Sequence, residues 1–239
     1  MKVSTHHRLI VAGGTVALVI AGGLAFHRPA ANAQGASIAA SGPAINAADR
    51  EKILSQGVAQ AGFQPSAFRP SATTRMHIAI VDRGGKLIAF RSMPDAWEGS
   101  RDIAIAKART AAFFSSNQNA LTSRTIGVAS QAHFPDAAGG AGPLWGVGES
   151  NRPGITGNAN TRNGLITFPG GLPLYKLDAN NQPVLVGGVG VSGDSVDADE
   201  AVAIRAAVGF EAPDAIKSST VIGPVLPYTL ATPAAPPVP

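Results

Sequence analysis

Two cations and a hydroxyl group lie within four consecutive residues of one alanine-rich segment. Lys107, Arg109 and Thr110 belong to the segment Lys107–Ala112. An arginine can hold a carboxylate through two parallel hydrogen bonds and a lysine can hold one as a point charge, so this segment could bind an anion. Residues two apart on a helix point in different directions. We therefore expect one cation to meet a ligand or the core edge and the other to meet solvent.

Acidic residues upstream give this segment two further interpretations. Lys107 or Asp102 could take an acid/base role in an enzyme. Alternatively, the cations form structural ion pairs with Asp102 or Glu98. Asp102 precedes Lys107 by five residues, which is not a good spacing for a helical pair. The sequence leaves these alternatives open.

Two histidines follow residue 33, and a neutral imidazole is a common axial ligand of haem iron. His133 stands beside Phe134 in a long irregular stretch, where it could line a binding cavity. His77 stands on a predicted strand, where a hydrogen-bonded surface or edge residue is the simpler interpretation. Neither belongs to a His-x-x-Glu or His-x-His pattern, so the sequence predicts no zinc or non-haem iron site.

Two glycine pairs, Gly170–Gly171 and Gly187–Gly188, stand next to predicted strands. The missing side chains could let a ligand approach the backbone, or they could mark bulges and tight turns. Residues 188–193 match the pattern Gly-x-Gly-x-x-Gly. Because no βαβ unit surrounds this pattern, we exclude a dinucleotide site.

Composition excludes several kinds of chemistry. The chain has no cysteine, which excludes thiolate catalysis, cysteine-ligated zinc, iron–sulfur clusters and covalently attached haem. There is no Gly-x-Ser-x-Gly nucleophile motif. Residues 1–33 contain three of the 19 basic residues and none of the 15 acidic ones, so the remaining chain has a net charge of +1. Its cations are scattered singly, and we expect no nucleic-acid partner.

Apolar periodicity and turn residues predict elements that could position these groups. The predicted helices are 47–62, 100–115 and 197–210, and the predicted strands are 76–82, 86–92, 165–168, 174–177 and 184–191. Asn46 and Ser100 are predicted to cap the first two helices. We expect Asp197, Asp199 and Glu200 to complement the positive end of the last. This order predicts an α+β fold in which helices cover one mainly antiparallel sheet.

The chain divides into four predicted segments. Residues 1–33 have a basic start, an apolar run and a small-x-small cleavage site, which is typical of a secretory signal peptide. The alternative is an uncleaved membrane anchor. We expect a flexible leader over 34–45, one domain over 46–227 with an insertion at about 131–163, and a Pro/Ala-rich tail over 228–239, disordered from Thr232. Cleavage would leave a periplasmic or secreted protein without a membrane partner.

Several motifs together resemble the GlcG/HbpS family of haem-binding proteins (the DUF336 type). They occur in the order Ile78–Gly85, Asp102–Ala111, Phe168–Pro173, Gly187–Gly193 and Asp199–Ala201. A further segment, Gly142–Val147 followed by Ser150–Asn151, resembles a longer exported subgroup. The resemblance implies a profilin-like α/β sandwich, a homo-oligomer, and a haem site at a subunit boundary with a threonine hydroxyl near the iron. The threonine that matches is Thr110.

The resemblance leads to three hypotheses about function. In the first, the protein is an exported haem- or tetrapyrrole-binding protein, with Thr110 or His133 near the iron and Arg109 or Lys107 near the propionates. In the second, an enzyme or accessory protein acts on a small organic acid or aromatic compound in the same pocket. In the third, the chain is a structural oligomeric module.

Overall fold

The computed structural model describes residues 42–135, 144, 145, 147 and 164–236. Its regular elements are, in chain order, α1 (Ala47–Ala61), β1 (His77–Asp82), β2 (Leu87–Ser92), α2 (Ser100–Phe114), α3 (Ser123–Ala129), β3 (Gly171–Leu177), β4 (Pro183–Ser192), α4 (Val196–Ala206), a 3-10 helix (Asp214–Ile216) and α5 (Ser218–Val221). The predicted signal peptide, most of the leader and most of the insertion lie outside the described residues. No helix within the described ranges is long and apolar enough to cross a membrane.

The four strands form one antiparallel sheet in the order β2-β1-β4-β3. Alternation along β1 sends Ile78 and Ile80 into the core with α1 and α4, while Ala79 and Val81 pack with α2 on the other face. Both faces of the sheet are therefore covered by helices. This confirms the predicted α+β fold with a mainly antiparallel sheet.

Helix α2 lies against the sheet at backbone distance because glycines face it from β4. A Cβ atom on Gly190 would lie 2.0 Å from the main-chain oxygen of Ala104, and one on Gly188 would lie 2.4 Å from that of Ala108. Neighbouring Val189 and Val191 point to the opposite core. The glycine-rich strand thus allows close helix packing, and the helix that carries the two cations lies directly against the sheet.

Most predicted elements are present, but two expectations were wrong and one helix was missed. Residues 165–168 form no strand, because Ile166 bonds through its main chain to a helix side chain instead of a neighbouring strand. Ser100 is the first residue of α2, whose cap is Gly99 without a side-chain hydrogen bond. The short helix α3 was not predicted. Asn46 does cap α1, through a reciprocal pair of bonds with Asp49.

The described part of the C-terminal segment packs on the domain, whereas we expected disorder from Thr232. Tyr228 is buried. The main-chain N–H groups of Leu230 and Ala231 each donate to Glu200 Oε2 at 2.9 Å. Gln60 Nε2 donates to the carbonyl oxygen of Ala234 at 2.9 Å. Specific hydrogen bonds therefore hold a segment whose composition alone is typical of a free tail.

Candidate functional site

Lys107 is fully buried and forms an ion pair with Asp199. Its Nζ atom lies 2.6 Å from Asp199 Oδ2 and donates to the carbonyl oxygen of Val191 at 3.0 Å. The side chains are 1% and 3% exposed, so the pair is out of contact with water. The expected partners Asp102 and Glu98 do not pair with Lys107, since its side chain points toward α4. The structure therefore does not bring Lys107 and Asp102 together, and Asp102 is exposed in the first turn of α2.

Burial acts on both members of this pair. It lowers the pKa of the Lys107 ammonium, and the attraction and hydrogen bond of Asp199 oppose that shift. It raises the pKa of the Asp199 carboxyl, and Lys107 opposes the shift in the same way. Asp199 Oδ1 also accepts from the main-chain N–H of Asp194 at 3.0 Å. The carboxylate is thus already used by groups of this chain.

Gly170 makes room for the pair. It has φ +116°, and a Cβ there would lie 2.7 Å from the Val191 oxygen and 3.2 Å from Lys107 Nζ. A Cβ on Gly171 would lie 2.3 Å from the main-chain oxygen of Lys107. Within the described residues, the space beside both glycines is filled by the chain itself.

Arg109 points away from Lys107, as predicted for residues two apart, but it is also buried. The residue is 8% exposed, and its Nε donates to the carbonyl oxygen of Gly85 at 3.1 Å. Its Nη1 is enclosed and has no hydrogen-bond partner in the described part of the chain. Burial lowers the pKa of this guanidinium, and Asp102 opposes the shift through space without pairing with it. Arg109 is therefore a buried cation without a contacting carboxylate among those residues.

The Thr110 hydroxyl fastens an irregular segment to α2. It is fully buried, and its Oγ1 lies 3.0 Å from the carbonyl oxygen of Ala106 and 2.8 Å from that of Ile166. The same oxygen accepts from the main-chain N–H of Ile166 at 3.2 Å. A ligand could reach this oxygen only where the segment around Ile166 gives way.

Helix α3 contributes site residues that sequence reasoning missed. Ser123 Oγ donates to the carbonyl oxygen of Phe168 at 2.6 Å and accepts from the N–H of Gly171 at 2.8 Å. The helix is capped by Thr122, which exchanges bonds with Thr125. This is a capping box with Thr in place of the usual Glu or Gln, and that departure explains why the signal was weak.

The acidic residues at the start of α4 form ion pairs, in addition to lying near its positive end. Glu200 is completely buried and accepts from Arg124 Nε at 2.8 and 3.0 Å. Asp197 Oδ1 accepts from Arg124 Nη2 at 2.9 Å. Ser195 caps the helix.

The two histidines have different environments. His77 is buried rather than at the surface, and its ring nitrogens lie 2.9 Å from Ser92 Oγ and 2.9 Å from the Trp97 carbonyl oxygen. The carbonyl can only accept, so Nε2 carries a proton. His133 is exposed. The structure does not bring either histidine to the Thr110 hydroxyl through any described contact.

Five cavities on the described part of the chain lie away from the Lys107, Arg109 and Thr110 side chains. Three of them have volumes of about 560, 400 and 340 Å³. None of the five described cavities is lined by Lys107, Arg109 or Thr110. No group of three or more His, Cys, Asp or Glu residues within the described ranges could hold a metal ion.

Known structures and families show what the chain is similar to. It is 22% identical to PduOC in a haem complex, covering 70% of this chain and 96% of that one, with a TM-score of 0.50. It is 26% identical to the Klebsiella pneumoniae protein ORFY, covering 71% of this chain and 92% of that one, with a TM-score of 0.47. It is 19% identical to a double mutant of Streptomyces reticuli HbpS, covering 82% of this chain and 98% of that one, with a TM-score of 0.44.

No curated protein matches the chain significantly. The family model described as "Haem degrading protein HbpS-like" matches residues 46–208, and this range contains every element from α1 to α4 together with the Lys107, Arg109 and Thr110 segment. Because the match spans well over half of the chain, this protein belongs to the family of HbpS-like haem-degrading proteins.

Proposed function

We propose that this protein binds haem non-covalently and that Arg109 holds a haem propionate. Membership of the HbpS-like family supports the ligand. The PduOC structure, which has the same fold, is described as a haem complex. The observation that carries the assignment of Arg109 is its enclosed Nη1 atom without a hydrogen-bond partner among the described residues.

Lys107 and Arg109 differ in how their buried charges are compensated. A buried charge is costly unless a counter-charge and hydrogen bonds offset its lost hydration. Lys107 has both from Asp199 and Val191. Arg109 has one hydrogen bond, to a neutral carbonyl group. A carboxylate ligand would supply the missing counter-charge at Arg109, and a propionate is such a carboxylate.

The iron-side contacts remain predictions. Thr110 already uses its hydroxyl within the chain, and His133 is exposed beside the predicted insertion. Either could approach the iron of a haem held at Arg109, Thr110 only after its bonds to Ile166 break. Gly170 and Gly171 would act through the packing of α2, since their open sides face Val191 and Lys107. Bound haem would supply a redox-active iron.

Haem titration of wild-type protein and two variants tests the proposal. Wild-type protein should shift the Soret band at micromolar concentration. Arg109→Met should weaken haem binding about tenfold, which corresponds to one charge-assisted hydrogen bond. The same variant should leave the free energy of unfolding of haem-free protein unchanged or higher, because it removes an unpaired buried charge. Arg101→Met, an exposed position on the same helix, is the matched control and should bind haem like the wild type.

Absence of a Soret shift in the wild type would refute haem binding. Equal haem affinity of the Arg109→Met and wild-type proteins would refute the role of Arg109. Arg109 would accept another carboxylate for the same reason as a propionate, so small organic and aromatic acids should be compared with haem by thermal shift. A ligand raises the free energy of unfolding by RT ln(1 + [L]/Kd), and the melting temperature rises accordingly. No stabilisation by any of them would favour a structural module.

We infer in addition that the protein is exported and self-assembles. The signal-like pattern of residues 1–33 supports export, and detection of a shortened N-terminus in the periplasmic or extracellular fraction tests it. Trp145 and Phe168 are 56% and 54% exposed, and large apolar side chains at the surface support an interface between copies. Light scattering of the purified protein should give a mass above that of one chain, and a monomer mass would refute self-assembly.

A further inference from the structure

A cavity of about 340 Å³ lies between the second half of α1 and the end of α4, away from the Arg109 site. Ala59, Phe63, Val208 and Pro236 form its apolar walls, and Arg205 is the charged residue that lines it. Cavities of about 300–1,000 Å³ with apolar walls and few polar groups are typical of small-molecule sites. Phe63 and Val208 are 39% and 38% exposed, so a ligand there would cover apolar surface.

Hydrogen bonds hold the walls of this cavity in place. Gln56 Nε2 donates to the carbonyl oxygens of Arg205 at 2.9 Å and Val208 at 3.1 Å, which ties α1 to the end of α4. Gln60 Nε2 donates to the carbonyl oxygen of Ala234 at 2.9 Å, which ties α1 to the C-terminal segment. The cavity is therefore formed before any ligand arrives, and binding would cost little reorganisation.

Arg205 gives the cavity a positive charge. It is exposed in the last turn of α4, and it takes part in none of the ion pairs found among the described residues. A cation at a helix C-terminus also complements the helix dipole. That role needs only the charge near the helix end and gives no reason for an apolar cavity beside it.

We propose that this cavity binds a small monocarboxylate with an apolar body, whose carboxylate pairs with Arg205. The apolar chain would lie against Phe63, Val208 and Ala59, and the charged head would remain at the guanidinium. The site is distinct from the proposed haem site, since Arg109 does not line it. Its ligand need not be planar or contain a metal.

Calorimetric titration of the full-length protein with octanoate and with 1-octanol tests this proposal, because the two probes share the apolar chain and differ in the head group. Octanoate should bind more tightly than 1-octanol, and its affinity should fall as salt is added. Arg205→Met should weaken octanoate binding about tenfold and leave 1-octanol binding within about twofold. Arg83→Met, at an exposed arginine in the β1–β2 turn, is the matched control and should leave both unchanged.

A second variant tests the cavity itself. Ala59→Leu adds volume to a wall residue, and leucine is tolerated in a helix. This substitution should weaken the binding of both octanoate and 1-octanol at least about fivefold, because the leucine side chain occupies the space that they need. Ala48→Leu, at an exposed position in the first turn of α1, should have no effect. Octanoate that fails to bind wild-type protein, or binds Arg205→Met or Ala59→Leu as well as wild type, overturns the proposal.

Discussion

The Lys107–Asp199 pair gives a quantitative test of how this fold tolerates buried charge. The two side chains come from helices on opposite faces of the sheet and meet at 2.6 Å with exposures of 1% and 3%. Lys107→Met keeps the length of the lysine stem without its charge. Asp199→Asn keeps the shape of the carboxyl group and an oxygen that can accept from the main-chain N–H of Asp194.

Each single substitution leaves one buried charge without its partner. Breaking a buried pair in this way costs about 3–5 kcal/mol of folding free energy. The double variant leaves no unpaired charge and loses the Lys107 bond to Val191, which leaves a buried carbonyl group at a cost of about 1–3 kcal/mol. The double variant should therefore be more stable than the sum of the singles predicts, by at least about 2 kcal/mol.

Urea unfolding of the four proteins at pH 7 measures this coupling. The pH dependence of the stability of Lys107→Met gives a second readout, because burial raises the pKa of the Asp199 carboxyl and Lys107 opposes that shift more than any other group does. Its removal raises that pKa further. A raised pKa in the folded state means that stability is fully present below the unfolded pKa and is lost as pH rises through the folded value. The loss of unfolding free energy in Lys107→Met, relative to the wild type, should thus shrink as pH falls from 7 toward 4.

Additive single substitutions, or singles that each cost less than about 1 kcal/mol, would refute this reasoning, since a solvated surface pair contributes about that much. A loss of stability in Lys107→Met that does not change with pH would refute the further raised pKa of the Asp199 carboxyl in that variant.

Three further predictions concern packing, capping and charge. Gly190→Ala should destabilise the fold by about 2 kcal/mol or more, because its Cβ would lie 2.0 Å from a main-chain oxygen of α2. Gly42→Ala, at a position with nothing within 4 Å and outside any helix or strand, should be nearly neutral, and equal urea midpoints of the two variants would contradict this. Asn46→Ala should cost about 1 kcal/mol by removing the cap of α1, as measured by urea unfolding; an unchanged midpoint would count against it. Burial raises the pKa of Asp49, but its bonds from Lys176 and Asn46 lower it below 3.8 overall; Lys176→Met should raise this pKa in an NMR titration, and stability owed to it is lost as pH falls through the folded value.

The elements that local sequence determines were predictable. The apolar run 76–82 predicted strand β1, and Asn46 predicted the start of α1. The segment 165–168 was read as a strand because it is apolar, yet Ile166 bonds to Thr110. Its partner is a side chain from a helix more than fifty residues away, which period-two patterning cannot indicate.

The sequence could predict which residues form the candidate site, but it could not predict which of them form ion pairs with each other. The segment around Lys107 predicted the helix, and this segment together with the other motifs indicated the family. The partner of Lys107 is Asp199, 92 residues later, and Asp199 looked like an ordinary acidic residue of a helix start. Ion pairs between helices on opposite faces of a sheet depend on the topology of that sheet, and spacing along the chain carries no information about them.

The two cations of helix α2 point to different sides. Among the described residues, Lys107 has a counter-charge and Arg109 has none. On the α4 side, Asp199 neutralises Lys107, and the chain itself fills the space beside Gly170. On the hairpin side, Arg109 reaches the carbonyl oxygen of Gly85, where Phe113 packs against the turn. A carboxylate ligand of this helix should therefore approach from the β1–β2 hairpin. The Asp199→Asn substitution, which acts on the other side, should reduce stability while leaving haem affinity close to wild type, whereas Arg109→Met should do the reverse.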